Sequence, residues 1–153
     1  MRFYALEPEV AGGWGPNTDF IREPSKPVIV RNLHYQFDGW LGDELLASSP
    51  SFIVTERLAD KLQSHHLSGY EIKAVEISTS QQFRELYPRR DLPAFKWLYI
   101  TGRAGTDDFG IADDGRLVVS DKAIAVLRTS QIDHCDVAEW ETEGRERKPD
   151  ITN

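Results

Sequence analysis

Hydrophobic and polar positions along this chain fall into short alternating runs broken by two or three stretches with helical spacing, and one combination occurs twice. Phe52-Ile53-Val54-Thr55-Glu56-Arg57-Leu58-Ala59-Asp60-Lys61-Leu62 is matched 65 residues later by Leu117-Val118-Val119-Ser120-Asp121-Lys122-Ala123-Ile124-Ala125-Val126-Leu127. In both copies three apolar residues lead into a hydroxyl residue, then an acid, a base and apolar positions at helical spacing. A Thr or Ser at that place accepts a hydrogen bond from an orphan amide of the first turn, and the following acid meets the positive end of the helix dipole. Each copy therefore predicts a strand ending in a capped helix. Leu58 matches Ala123, Ala59 matches Ile124 and Leu62 matches Leu127, so both helices bury the same face.

Around these units the pattern predicts strands. Arg2 to Leu6 alternates as a first strand, and Gly12-Gly13-Trp14-Gly15-Pro16-Asn17 reads as a loop carrying an aromatic. Leu33, Tyr35 and Phe37 alternate with Asn32, His34 and Gln36. The helix after Thr55 is expected to end before Gly69 as a left-handed stop, and Tyr70 to Ile77 to form one strand. Ser78-Thr79-Ser80 caps a short helix holding Phe83, Leu86 and Tyr87, stopped by Pro88. Ala94 to Ile100 has the aromatic and branched content of a central strand. Phe109 to Ile111 and the turn Asp113-Asp114-Gly115-Arg116 signal a hairpin, and Ile132 to Trp140 offers a last strand. The result is an α+β fold with a mainly antiparallel sheet and two or three helices, built on strand-cap-helix units at 52–62 and 117–127. Residues 1–141 read as one domain with a candidate subdomain boundary at 88–93, and residues 142–153 as a flexible charged tail.

Composition narrows the partners. At 153 residues the chain can bury a core without metal or disulfide staples, and one cysteine, Cys135, cannot close an internal disulfide. The net charge of -7 disfavours nucleic acid or an anionic membrane and favours a basic partner, although moderate acidity also serves plain solubility. With no leader-like start and no spanning apolar run, the expectation is a cytoplasmic protein.

Candidate chemistry thins out on inspection. His65-His66 are neighbours that point about 100° apart on a helix and sit where a histidine complements the dipole. Asp107-Asp108 with Asp113-Asp114 lacks the alternating ligands of a calcium loop, which leaves turn residues or an acidic protrusion facing a basic surface. Gly102-Arg103-Ala104-Gly105 has the glycines of a phosphate loop and none of its other parts. His134-Cys135-Asp136 places three catalytic residue types side by side, but consecutive strand residues alternate faces, so Cys135 is expected to be a buried structural thiol. Trp14 and Trp40 lie in Gly-rich loops, as interface anchors or folded back on the core. No catalytic residues, metal ligands or cofactor are expected.

The run Gly39-Trp40-Leu41-Gly42-Asp43, then Pro50-Ser51-Phe52-Ile53-Val54-Thr55-Glu56-Arg57-Leu58, then Gly69-Tyr70-Glu71-Ile72-Lys73-Ala74-Val75-Glu76-Ile77 resembles the immunity proteins of bacterial polymorphic-toxin systems. The resemblance spans roughly residues 39 to 140 and is nearest the double-CXXCG group, although this chain has no CXXC, so no zinc site is carried over. It implies a non-enzymatic protein that binds and neutralises one cognate toxin with a basic surface, without nucleic acid or membrane. The expected partner-binding residues are Asp107, Asp108, Asp113 and Asp114, then Asp43 and Glu44, with Trp14 and Trp40 as anchors. Two other classes stay open: a small-ligand sensor or scaffold with an apolar pocket near Pro88 to Pro93, and a small metal-dependent hydrolase. Neither the toxin's identity nor the oligomeric state follows from the sequence.

Overall fold

The computed structural model describes residues 1–141. In chain order the elements are β1 (Phe3–Glu7), β2 (Gly12–Trp14), β3 (Asp19–Ile21), β4 (Ile29–Asn32), β5 (His34–Phe37), β6 (Leu45–Ser48) and β7 (Ser51–Thr55). Then follow α1 (Glu56–Ser64), β8 (Tyr70–Lys73), β9 (Glu76–Thr79), α2 (Gln81–Leu86), β10 (Phe95–Ile100), β11 (Phe109–Ile111), β12 (Leu117–Ser120), α3 (Asp121–Leu127) and β13 (Asp136–Trp140). The fold is α+β, and its sheets are mostly antiparallel.

Both capped units form as the pattern predicts. Thr55 Oγ1 accepts from Leu58 N at 3.2 Å, and Ser120 Oγ accepts from Ala123 N at 3.1 Å. The repeat reaches further than the sequence pattern. One four-stranded sheet has the order β6-β7-β10-β8 and the other β11-β12-β1-β13, so each is a hairpin, a middle strand and the strand that follows the unit's helix. Their registers agree: Thr55 lies opposite Phe95 and Ser120 opposite Phe3, while Ile72 lies opposite Leu98 and Val137 opposite Leu6. Ile72 and Val137 are again 65 residues apart. The amides of Glu56 and Asp121 donate to Ala94 O at 2.9 Å and Arg2 O at 3.1 Å, the same bond in both copies. The chain supplies the middle strand differently, from downstream (β10) in one unit and from the N-terminal segment (β1) in the other.

The two helices meet in a shared core. Leu58, Ala59 and Leu62 pack with Ala123, Ile124 and Leu127 over Leu6, Leu45, Phe52, Leu98 and Phe109. Full burial of side chains such as Leu58, Leu62 and Leu127 contributes roughly 1.5–3 kcal/mol each. All of β7 is buried because its two faces serve different cores. Phe52 and Val54 join the helices, whereas Ile53 faces Tyr35, Phe37, Phe83 and Trp97. That second core includes residues of a three-stranded sheet of order β2-β5-β9, in which β5 and β9 run parallel.

Several sequence expectations need correction. Tyr70 to Ile77 is not one strand: β8 joins the sheet with β10, and β9 is taken by β5, Glu76 N donating to Leu33 O at 3.0 Å. Residues 132–135 lie outside the last strand, which starts at Asp136 after a turn at 133–134. The helix α1 stops at Ser64, and the left-handed residue beyond it is His66, with φ 52°. Gly69, at φ 96°, serves another purpose, since a Cβ there would lie 2.2 Å from Phe109 O and glycine lets two loops touch. Gly12 to Trp14 form a strand against β5, not a loop. The short helix forms and holds Leu86, whose side chain is exposed, whereas Phe83 is buried. Segment 88–93 leads into β10, the middle strand between β7 and β8, so the chain on its two sides shares one sheet. The expected tail, residues 142–153, lies outside the described residues. Among the described residues no helix is long and apolar enough to cross a membrane.

Candidate functional site

The acidic pairs Asp43-Glu44 and Asp107-Asp108 occupy equivalent places, just ahead of the first strand of each hairpin. Their second members are built alike. Glu44 O accepts Thr55 N at 3.0 Å, and its carboxylate accepts Thr55 Oγ1 at 2.7 Å, Arg57 Nη2 at 2.6 Å and Gln131 N at 3.1 Å. Asp108 O accepts Ser120 N at 2.9 Å, and its carboxylate accepts Ser120 Oγ at 2.6 Å and Ser68 N at 2.9 Å. Each carboxylate thus ties the helix cap of its own unit to the loop behind the other unit's helix. Burial pushes both carboxyls up. The bonds from Arg57, Thr55 and Gln131 to Glu44, and from Ser120 and Ser68 to Asp108, outweigh it and hold both below the ordinary range. Glu44 is buried with its acceptors used inside the molecule, so this acid works as a clasp rather than as open surface.

The remaining predicted acids do not converge. Asp107 accepts Arg103 N at 2.8 Å, and Asp114 accepts Arg116 N at 3.1 Å and Arg116 Nε at 2.8 Å. These bonds, the backbone one first, hold the Asp114 carboxyl below its ordinary range. Asp113 is exposed on the same turn. Neither tryptophan is a free anchor. Trp14 lies 4.9 Å from the Phe20 ring and donates to Ser51 Oγ at 3.4 Å. Trp40 donates to Asp43 O at 2.8 Å, stands edge-on to Phe95, and carries the Arg90 guanidinium 4.7 Å from its ring centroid. His65 and His66 are both exposed, His65 Nδ1 lying 2.8 Å from Lys61 O.

Asp43 leads to a site that the sequence conceals. Its carboxylate is 0% exposed and accepts His134 N at 2.7 Å, with His134 Nδ1 at 3.0 Å from Oδ1. Glu9, 7% exposed, reaches the same loop, accepting Leu41 N at 2.6 Å and Asp43 N at 3.3 Å. One donor atom from each of Glu9, Asp43 and His134 lies within 4.8 Å of the other two, and among the described residues no other trio of His, Cys, Asp or Glu does so. The hydrogen bond to Asp43 raises the His134 imidazolium above its usual range against a smaller desolvation, and the charge of Asp43 adds to it. Cys135 is half-buried and turned to Asp136 O at 3.7 Å, its thiol pushed up to about 11, mainly by burial. A thiol so held is a poor nucleophile near neutral pH. Glu9 gave no sequence signal, because a lone acid after a strand is ordinary surface chemistry until the fold turns it inward.

A second feature lies at the far ends of the hairpins. A groove of about 530 Å³ runs over Leu6, Pro8, Val10, Ala47, Phe52 and Leu117, with Glu7, Asp114 and Arg116 along it. Val10 is 68% exposed. Glu7 stands directly opposite Asp136 across β1 and β13, and among the described residues neither forms an ion pair. Like charges facing each other across two strands are destabilising. Another concavity of about 530 Å³ borders the segment before β10, between Trp40, Pro93 and Ala94 on one side and Arg57, Glu44 and Gln131 on the other. The chain matches no protein-family model, no curated protein and no solved structure.

Proposed function

We propose that this chain is an immunity protein: a non-enzymatic cytoplasmic protein that binds a cognate bacterial toxin and blocks it. The observation that supports this reading best is the groove with an apolar floor, the exposed Val10, and Glu7 along it, which faces Asp136 across β1 and β13 with no ion pair to either acid among the described residues. Protein interfaces combine a desolvated apolar centre with a polar rim, and an acidic rim speeds encounter with a basic partner. Opposed like charges that weaken their own sheet are relieved when a Lys or Arg of a partner sits between them. The net charge of -7 acts in the same direction over a longer range. Of the acids expected from the sequence, Asp114 borders this groove on the β11–β12 turn and the exposed Asp113 precedes it, whereas Asp43, Glu44 and Asp108 are committed to internal bonds.

Binding of a basic toxin domain, followed by surface plasmon resonance at low salt, tests this. Charge reversal at Glu7 and Asp136 together, and at Asp113, is expected to slow association, and Val10→Glu to speed dissociation, with protection of toxin-exposed cells lost in parallel. Unchanged kinetics in all of these variants would remove the groove from the interface. The sensor reading draws on the concavity beside Pro93, but its wall carries the Glu44–Arg57 ion pair where an apolar ligand pocket was expected. A small ligand there is the second choice.

A further inference from the structure

We infer that Glu9, Asp43 and His134 form a binding site for one divalent transition-metal ion of the zinc class. The donors come from three separate segments: the chain beyond β1, the loop before β6 and the turn before β13. Metal bonds of about 2.0–2.2 Å place adjacent ligand atoms about 2.8 to 3.6 Å apart, so donors that lie within 4.8 Å of one another need to close by at most about 1–2 Å, within reach of side-chain rotation. The 3.0 Å between His134 Nδ1 and Asp43 Oδ1 is a hydrogen bond when a proton lies there and one edge of a coordination polyhedron when a metal does. Two carboxylates with one imidazole suit a borderline ion, and the two nearly buried acids face no Lys or Arg within salt-bridge distance among the described residues.

The repeat supplies an internal comparison. The position equivalent to Asp43 is Asp107, and the residue 65 before His134 is Gly69. The backbone bridge that Glu9 makes to Leu46 recurs between Arg103 and Ile111, beside Gly102. In that corner Gly102 and Gly69 close directly around Asp107: a Cβ on Gly102 would lie 2.6 Å from Gly69 Cα and 2.7 Å from Asp107 Cβ. The fold therefore completes the same junction with two glycines in one unit and with Glu and His in the other. The other copy forms this junction without carboxylate or imidazole at these two places, and their convergence on a buried Asp points to a ligand. This inference does not depend on which partner the groove takes.

Calorimetric titration of the full chain with Zn²⁺ at pH 7.5 is expected to show one site per chain. Glu9→Gln and His134→Ala each lower the affinity at least about tenfold, the loss that even outer partners of a metal cause. Gln at position 9 can still accept the Leu41 amide, and His134 is exposed, so both variants are expected to keep the wild-type circular dichroism without metal. With Co²⁺ as probe, weak visible bands without thiolate charge transfer are expected, and Cys135→Ser leaves binding unchanged. Absence of saturable uptake, retention of wild-type affinity in both ligand variants, or loss of binding in Cys135→Ser would overturn the assignment.

Discussion

Replacing Ser120 by Ala tests the joint that holds the two units together. The side chain is fully buried, caps α3 through Ala123 N, and donates at 2.6 Å to Asp108, whose other oxygen holds Ser68 N behind α1. Loss of the cap costs about 1 kcal/mol. Loss of the bond to the charged acceptor adds about 1.5 kcal/mol, at the low end of its range because Asp108 is half-exposed and water can partly replace the hydroxyl. The sum is roughly 2–3 kcal/mol, or about 5–10 °C in Tm for a domain of this size. Urea unfolding followed by tryptophan fluorescence measures it. Thr55 holds the equivalent position, so Ser120→Thr retains both bonds and is expected to stay within about 1 kcal/mol of wild type. A cycle of Ser120→Ala with Asp108→Asn is expected to show coupling of about 1 kcal/mol or more. A loss below about 0.5 kcal/mol in Ser120→Ala, or equal losses for Ala and Thr, would refute the clasp.

Two further measurements probe neighbouring parts of the frame. Glu44 and Asp108 sit below their ordinary values of 4.5 and 3.8, so the stability they contribute is fully present above those values and drains away as pH falls through their lower folded-state pKa. The urea midpoint is therefore expected to drop below about pH 4.5, and Glu44→Gln to flatten that acid limb; an unchanged limb would contradict the assignment. Tyr35, its phenol pushed up to about 12 chiefly by burial, accepts Ala11 N and donates to Ala47 O, both at 3.0 Å. Tyr35→Phe leaves both partners unpaired and is expected to cost about 1–3 kcal/mol, whereas a cost near zero would mean that water replaces the hydroxyl.

What the sequence reveals of this fold is what local chemistry decides. Thr55, Ser80 and Ser120 all cap helices because a hydroxyl three residues ahead of an amide acts within one turn, independent of tertiary context. The break between β8 and β9 is hidden because alternation continues through Ala74-Val75 with no Gly or Pro, and β9's partner β5 lies some 40 residues upstream. The turn at 133–134 is set by Asp43, which holds His134 N from 91 residues away. The same distance hides the site. Asp43, Glu44 and Asp108 read as surface acids because most acids are. Their hydrogen-bond partners come from segments that sequence spacing does not bring together.

The repeat also explains where function can reside. Two units that share strand order, cap chemistry and clasp constrain each other at the positions they have in common. Freedom lies where the copies differ. One difference is the junction around Asp43, filled by Glu9 and His134 where the other copy has two glycines. Another is the end of β1 with the β11–β12 turn, where Glu7 and the Asp114–Arg116 pair stand beside an apolar floor. Because the N-terminal segment supplies β1, the end of that strand and the chain beyond it contribute Glu7, Glu9 and Val10 to both places. The helices and caps hold these two places in position, and substitutions there are expected to alter binding before they alter folding.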